Sequence, residues 1–393
     1  MPQSIRPGRA LRRTPLGSIL GVLRGSLVDV RLAERAVGGE VRLLDGGNEA
    51  FPVMLDAIAG ARREIFLEVY QFSPLGIGED FVAALSAAAR RGVRVEVILD
   101  GFGSAPGASE VAAMLEAAGC EVRIFGRLLH VLAGRFRRNH RKILAVDGER
   151  AFVGGINIAD DYGSMHPGTE DLPWADLAVE IRGEVAAFLQ SCAHRERGRS
   201  PPGPVRVWLS GLGGGRRLRR RYLKTFGGAR RTLDVAHAYF VPDPRLVRSI
   251  TAAARRGVEV RLVVAGRSDV AFMGPATRRH YRRLLRAGVR ISEWSLSMLH
   301  AKAAAIDGRR LLVGSFNLDP LSLANLEALA EVEDLATAEA GARWIRARFE
   351  EGEEITLERI GTGSWVERLL VDRLGALVAD GLRWIAASDR RRR

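Results

Sequence analysis

A chain that repeats itself has to fold as a repeat, and this one repeats around its most unusual residues. Residues 139–157 (NHRKILAVDGERAFVGGIN) and 299–317 (LHAKAAAIDGRRLLVGSFN) agree in order and spacing. Each carries His-x-Lys, an Asp-Gly pair, then Gly-Gly or Gly-Ser one residue ahead of Asn. The aligned sets are His140, Lys142, Asp147, Gly154, Gly155 and Asn157 against His300, Lys302, Asp307, Gly314, Ser315 and Asn317. Of 60 basic residues only three are lysines (Lys142, Lys224 and Lys302), so two of them occupy matched positions in a chain that otherwise uses arginine. A second pair of copies, AAARRGVRVEVIL around Gly92 and AAARRGVEVRLVV around Gly257, lies 165 residues apart. A whole α/β unit is duplicated.

Within the first copy, strands are expected at 64–72, 93–100, 121–125, 142–146 and 151–153, with helices at 80–91 and 109–118. The second copy gives strands at 232–240, 258–264 and 289–294, and helices at 245–256 and 276–287. Strand–helix alternation of this kind makes an α/β sandwich with helices on both faces of the sheet. In each motif an Asp-Gly pair joins two short strands, the signature of a type I′ hairpin turn. The expected organisation is a basic leader (1–36), a first half (37–195), a Gly/Pro/Arg-rich connecting region with a boundary loop (196–231), a second half (232–352) and an amphipathic basic tail (353–393). An apolar stripe over 365–385 and the closing Arg390–Arg393 run suit either a helix docked on the core or one lying on a membrane.

With a formal net charge of +14 and a pI near 10.9, the partners are expected to be anionic, a nucleic acid or an anionic membrane surface. Cys120 and Cys192 show no metal-type spacing and read as reduced structural thiols of a cytosolic compartment. The remaining histidines form no ligand cluster, so neither a metal nor a cofactor is expected. No apolar run approaches the ~20 residues of a spanning helix.

The doubled His-Lys-Asp motif resembles the phospholipase D superfamily, and GSFNLDPLSLANLE at 314–327 resembles its bacterial cardiolipin synthases more narrowly. The resemblance covers about 41–332. It implies two phospholipase D-like α/β sandwich halves about a pseudo-two-fold axis, with one phosphate between two imidazoles. His140 then attacks phosphorus to form a phosphohistidine, and His300 protonates the departing alcohol and deprotonates the incoming one; near-symmetry leaves the reverse assignment open. Residues two apart on a strand share a face, so His140 projects with Lys142 and His300 with Lys302. The ammonium groups supply point charges for phosphate oxygens, and Asn157, Ser315 and Asn317 add donors.

A catalytic imidazole needs its other nitrogen anchored. Glu327, ten residues past Asn317, is the candidate in the second half. Asp176 in WAD is the first-half candidate, with Glu170 and Asp171 as rivals. Asp147 and Asp307 belong to the motif but are expected to shape turns. Trp174 and Tyr239 are candidate contacts for a lipid or glycerol. The function implied is a phosphatidyltransferase passing a phosphatidyl group from one phosphatidylglycerol to another at the cytoplasmic face of the cell membrane, bound peripherally. A hydrolytic phospholipase D is the alternative. A nuclease is disfavoured, because few aromatics suited to base stacking accompany the charge.

Overall fold

The structure, a computed structural model, describes residues 40–126, 138–163, 172–193, 204–211, 215–270 and 273–362, with 377, 380 and 381. The expected leader, Glu170, Asp171 and nearly all of the 365–393 stretch lie outside the described residues. In the first half the elements run β1 (Val41–Asp45), α1 (Gly46–Gly60), β2 (Glu64–Val69), α2 (Ile77–Arg90), β3 (Arg94–Asp100), α3 (Ala108–Ala117), β4 (Glu121–Phe125), β5 (Ile143–Val146), β6 (Arg150–Gly154), β7 (Leu177–Arg182) and α4 (Glu184–Ala193). They form a 7-stranded sheet in the order β1-β7-β6-β5-β2-β3-β4, with β2, β3 and β4 parallel and the other neighbours antiparallel.

The second half runs β8 (Val205–Leu209), α5 (Gly215–Gly227), β9 (Thr232–His237), α6 (Pro244–Arg255), β10 (Glu259–Ala265), α7 (Met273–Arg278), α8 (Tyr281–Leu285), β11 (Arg290–Trp294), β12 (Lys302–Ile306), β13 (Arg310–Gly314), β14 (Ala328–Val332), α9 (Leu335–Glu351), β15 (Glu353–Ile355) and α10 (Leu357–Thr362). Its sheet has the order β15-β11-β10-β9-β12-β13-β14-β8. Strand for strand this repeats the first sheet, with β15 added at the edge beside β11.

Local chemistry explains the matched elements. α2 buries Phe81, Leu85 and Ala88, and α6 buries Leu246, Val247 and Ile250. Each helix ends at a glycine with left-handed backbone, Gly92 at φ 89° and Gly257 at φ 87°, a conformation that costs glycine nothing.

Three expectations differ from the structure. Glu353–Ile355, expected to open the tail, is instead β15, paired with β11 as an edge strand of the second sheet. Much of the 196–231 stretch is regular: β8 pairs with β14, and α5 turns Leu218, Tyr222 and Phe226 into the core. β8 and α5 stand in the second sheet where β1 and α1 stand in the first. Arginine and glycine dominate the composition there, yet the one-in-four apolar spacing inside GRRLRRRYLKTFG is enough to bury a helical stripe. The helix expected over 276–287 is two short helices, and the break at Arg279–His280 lets Tyr281 bury its ring and donate to Glu293 at 2.8 Å.

The two sheets pack inner face to inner face. Ala151, Val153, Val179 and Ile181 meet Leu311, Val313 and Ala330 in one buried cluster, which α4 and α9 extend with Leu189 and Ile345. Helices cover the outer faces through Phe51, Phe81 and Leu115 on one side and Tyr222, Ile250 and Leu284 on the other. Two backbone bridges outside the sheets cross between the halves, Asn139 with Leu326 and Ala175 with Leu299.

Candidate active site

Those crossing bridges decide the site. His140 N–H donates to the Leu326 carbonyl at 2.9 Å, and His300 N–H to the Ala175 carbonyl at 2.8 Å. Each pairing sets the next residue of one half beside the histidine of the other. His140 Nδ1 therefore lies 3.1 Å from Glu327 Oε2, and His300 Nδ1 lies 2.6 Å from Asp176 Oδ2. Both expected carboxylates anchor an imidazole, but they are exchanged between halves. Glu327 was expected beside its own motif, and a linear spacing carries no sign of the crossing. All four side chains are buried.

A close approach makes the His300 pair possible. A Cβ on Gly155 would lie 2.3 Å from Asp176 Oδ1, so only glycine leaves room for that carboxylate. The matched position is Ser315, whose hydroxyl donates to Glu327 and accepts from Ala328 N–H at 3.0 Å. Expected as a phosphate donor, Ser315 is instead turned toward the carboxylate that anchors His140. Asn157 is also engaged: Oδ1 accepts from Gln71 N–H at 3.1 Å, and Nδ2 donates to Tyr162 Oη at 2.6 Å. Asn317 is buried with Oδ1 unpartnered, and its N–H donates to Ser322 Oγ at 3.1 Å.

The lysines lie against the histidines they were paired with in sequence. Lys142 Nζ donates to the His140 carbonyl at 2.9 Å and sits 4.9 Å from the Tyr70 ring centroid. Lys302 Nζ lies 2.8 Å from His300 Nδ1 and 5.9 Å from the Tyr239 ring centroid. Asp147 and Asp307 take no part in this cluster. Asp147 accepts from the backbone N–H groups of Arg62, Arg63 and Glu64 at 2.8 Å each, and Asp307 from those of Arg230, Arg231 and Thr232. Their φ angles of 55° and 57°, followed by Gly148 and Gly308 at 67° and 63°, are those of type I′ turns. Each carboxylate ties a hairpin to the start of the neighbouring strand.

Burial governs the protonation states. It holds His140 well below the ordinary imidazole range, with Lys142 and Lys302 adding to the effect. Burial, then Lys302, pushes His300 down to about 4 against the support of Asp176. Burial likewise lowers Lys142 to about 7 and Lys302 to about 8. Glu327 is pushed up to about 8 by burial in spite of Lys142. Asp176 would also be raised by burial, but Lys302 and the His300 bond outweigh it and hold it below its ordinary value. The two dyads are thus unequal: the Asp176 carboxyl is held below its ordinary value, whereas that of Glu327 is raised above it. Every cation here is penalised until an anion arrives, which is the condition of a site built for a phosphate.

Tautomers follow from the partners. His140 Nδ1 also lies 3.1 Å from the Ser315 carbonyl, and a carbonyl can only accept. Nδ1 therefore carries the proton, and the lone pair is on Nε2, facing away from the anchor. Among the described residues no cluster of three or more His, Cys, Asp or Glu is placed to hold a metal ion. Cys120 is buried, its thiol pushed up to about 11 by burial, and it stands apart from the site. A cavity of about 420 Å³ is lined by Phe316 and Leu318, which alternate along the catalytic segment with Ser315 and Asn317, two residues that do not line it.

The family model described as "Cardiolipin synthase, PLD-like domain" matches residues 54–166 and 222–351, one match in each half. The chain belongs to this phospholipase D-like cardiolipin synthase family. It is 37% identical over 325 residues to cardiolipin synthase B of Salmonella typhi, covering 76% of this chain and 77% of that one. Cardiolipin synthase B of Escherichia coli K12 is 35% identical over 321 residues with the same coverage, and the cardiolipin synthase of Geobacillus kaustophilus is 32% identical over 72% of this chain and 61% of its own. Among solved structures, the phosphatidylserine synthase of Haemophilus influenzae superposes with a TM-score of 0.67 at 14% identity, covering 93% of this chain and 99% of that one. That likeness speaks for the fold alone.

Two aromatic residues not read from the sequence, Tyr70 and Tyr162, belong to this family member's site. Tyr70 packs edge-on to His140 with ring centroids 4.8 Å apart, and Tyr162 packs edge-on to His300 at 5.1 Å. Trp174, a candidate from sequence, is 5.6 Å from His300, and Tyr239, another, is 6.4 Å away. Asn139 is the third addition by type of role, donating to buried Glu68 at 2.7 Å beside the motif histidine. Tyr70 and Tyr162 have no counterpart at the matched place in the other copy, so the repeat could not flag them.

Proposed function

We propose that the chain is a phosphatidyltransferase of the cardiolipin synthase type, using phosphatidylglycerol as donor and acceptor and His140 as nucleophile. The observation that carries the reading is the pair of crossed dyads, each imidazole anchored at Nδ1 by a carboxylate of the other half. Family membership supplies the reaction class. The inequality of the dyads supports the division of labour.

His140, neutral with its lone pair on Nε2, attacks phosphorus. Lys142 and Lys302 take up charge developing on the phosphate oxygens. His300, whose protonated form the Asp176 anion stabilises, gives its proton to the departing glycerol. It then removes a proton from the acceptor hydroxyl, which attacks phosphorus as the bond to His140 breaks.

An anionic phospholipid membrane is the proposed partner, approached peripherally from the cytoplasmic face. Leu75, Leu172 and Leu296 are 65%, 63% and 55% exposed on loops near the catalytic residues, and Phe102 adds a fourth apolar side chain. A basic chain presenting such side chains suits an anionic bilayer. Among the described residues no helix is long and apolar enough to cross a membrane.

The test uses a phosphatidyl ester of p-nitrophenol, whose leaving group departs without help from an acid. His300→Ala should release a burst of nitrophenolate and accumulate a phosphatidyl group on His140, seen by mass spectrometry of the intact protein. His140→Ala should give neither. A burst from His140→Ala with none from His300→Ala reverses the assignment. In phosphatidylglycerol vesicles the wild type should make cardiolipin and glycerol, and phosphatidic acid as the dominant product at every lipid density would refute the transferase reading.

A further inference from the structure

The two ends of the catalytic cluster differ in their surroundings. Near His140 stand Lys142, Glu327 and Arg138, whose guanidinium lies 4.0 Å from the Phe102 ring centroid, while Arg141 is paired with Glu68 at 3.3 Å. Around His300 stand the rings of Tyr162, Trp174 and Tyr239, together with carboxylates. The Tyr239 hydroxyl donates to Asp269 at 2.6 and 2.7 Å from its two oxygens. Asp269 is exposed in the turn that follows β10, and Asp161, also exposed, comes from the first half beside Tyr162 and Trp174. Asp269 opposes the burial that lowers Lys302 and adds to the burial that raises Tyr162 and Tyr70, so its field reaches across the cluster, while the bond from Tyr239 places it at the His300 end.

A carboxylate here needs a reason, because it repels the phosphate that the rest of the site attracts. Hydroxyl groups supply one. A vicinal diol offers two O–H donors, and an ionised carboxylate is acceptor-only with two oxygens. An ammonium group is the other ligand a carboxylate beside an aromatic ring suits. Here Lys302 already stands 5.9 Å from the Tyr239 ring centroid, so an incoming cation would meet a like charge.

We propose that Asp269, oriented by Tyr239 at the His300 end of the site, is a specificity-determining residue that accepts hydrogen bonds from the hydroxyls of the alcohol leaving or entering there, and so selects a polyol over a monohydroxy alcohol. The inference rests on the phosphatidyl-transfer reading above. In the selected step one hydroxyl of the polyol gives its proton to His300 and its oxygen bonds to phosphorus. The phosphorus–nitrogen bond to His140 breaks, and its electron pair returns to the imidazole. A neighbouring hydroxyl, held by Asp269, fixes the orientation of the attacking one. A monohydroxy alcohol has no second group to be held, and water has none either.

The experiment is a competition with full-length protein in phosphatidylglycerol vesicles. Equimolar deuterated glycerol and propan-1-ol are supplied together, and deuterated phosphatidylglycerol and phosphatidylpropanol are quantified by mass spectrometry. Their ratio is internal to each sample, so partial loss of folded enzyme does not move it. The wild type should favour glycerol by about tenfold or more, the scale of one hydrogen bond to a charged group. Asp269→Ala should bring the ratio near one. Asp269→Asn, which keeps one acceptor oxygen and the shape, should fall between, and Tyr239→Phe should lower the ratio by releasing the carboxylate. An unchanged ratio in Asp269→Ala and Asp269→Asn, with both products still forming, overturns this inference alone. In a parallel competition of equimolar glycerol and ethanolamine, a wild type that prefers ethanolamine shows that the carboxylate reads a cation, and overturns it too. If the wild type forms no product from any alcohol, the transferase reading falls and takes this inference with it.

Discussion

Gly155→Ala tests the His300 dyad without touching a charged group. The new Cβ would lie 2.3 Å from one Asp176 carboxylate oxygen, 2.4 Å from the other and 2.7 Å from the carboxyl carbon. Ordinary non-bonded contact begins near 3.5 Å, so the carboxylate must retreat by about 1 Å. The bond from His300 Nδ1 is 2.6 Å long and does not survive such a move. A hydrogen bond to a charged group is worth about 1.5–3 kcal/mol, and a misplacement of about 1 Å in catalytic machinery costs roughly 10²-fold in rate. Turnover at saturating lipid should therefore fall about 10²-fold, while overpacking costs stability only about 1–3 kcal/mol. The pH–rate profile separates this from simple damage. Asp176 supports the protonated form of His300, which burial already lowers to about 4, so weakening the contact drives that value lower. Less acid is then available at neutral pH, and the optimum should move toward acid, as it should in Asp176→Asn. Wild-type turnover and an unmoved profile in Gly155→Ala, alongside a crippled Asp176→Asn, would show that the carboxylate does not act through this contact.

Other outcomes are expected from the same geometry. His140→Ala and His300→Ala should each abolish phosphatidyl transfer while melting like the wild type, and near-normal turnover in either ends the two-histidine mechanism. Asp147→Ala should destabilise by about 1–3 kcal/mol in urea unfolding, the solvent-screened worth of its backbone bonds, and should leave KM unchanged. Burial would raise this carboxyl, but three backbone donors outweigh it and hold it below its ordinary value. Its contribution is therefore complete above the unfolded value near 4 and lost as pH falls through the lower folded value; an identical acid dependence in the variant contradicts the role. Tungstate at pH 8 should bind with uptake of about one proton, because an oxyanion reverses the burial that lowers Lys142 to about 7 and Lys302 to about 8. Calorimetry in buffers of different ionisation heat reads this directly, and binding without uptake means the lysines are already charged. Attachment to anionic vesicles should weaken as salt rises, and flotation that ignores salt points to insertion instead.

The legible parts of this protein were those that local spacing carries. Duplicated motifs implied duplicated sheets, and a left-handed Asp-Gly pair between short strands implied hairpins, so Asp147 and Asp307 read as turn formers before their backbone bonds were visible. Glu327 and Asp176 could be named as imidazole partners because buried imidazoles need carboxylates. Which imidazole each would reach depends on the bridges at Leu326 and Ala175, contacts between residues more than a hundred positions apart. Ser315 was misjudged for a related reason: its neighbour in space is Glu327, so its hydroxyl serves that carboxylate. In the 205–227 segment composition masked periodicity, since arginines flank the three apolar residues that α5 buries.

The exchange of carboxylates between halves has a consequence for how such an enzyme can diversify. Because each imidazole is completed from the opposite half, one half expressed alone lacks a working dyad unless two copies associate. In that association symmetry would make the dyads identical, and any change to one histidine's surroundings would be made to both. Joining the halves in one polypeptide lifts that constraint. Gly155 can then differ from Ser315 and Asp176 from Glu327, so that one imidazole specialises in bonding to phosphorus and the other in carrying the proton.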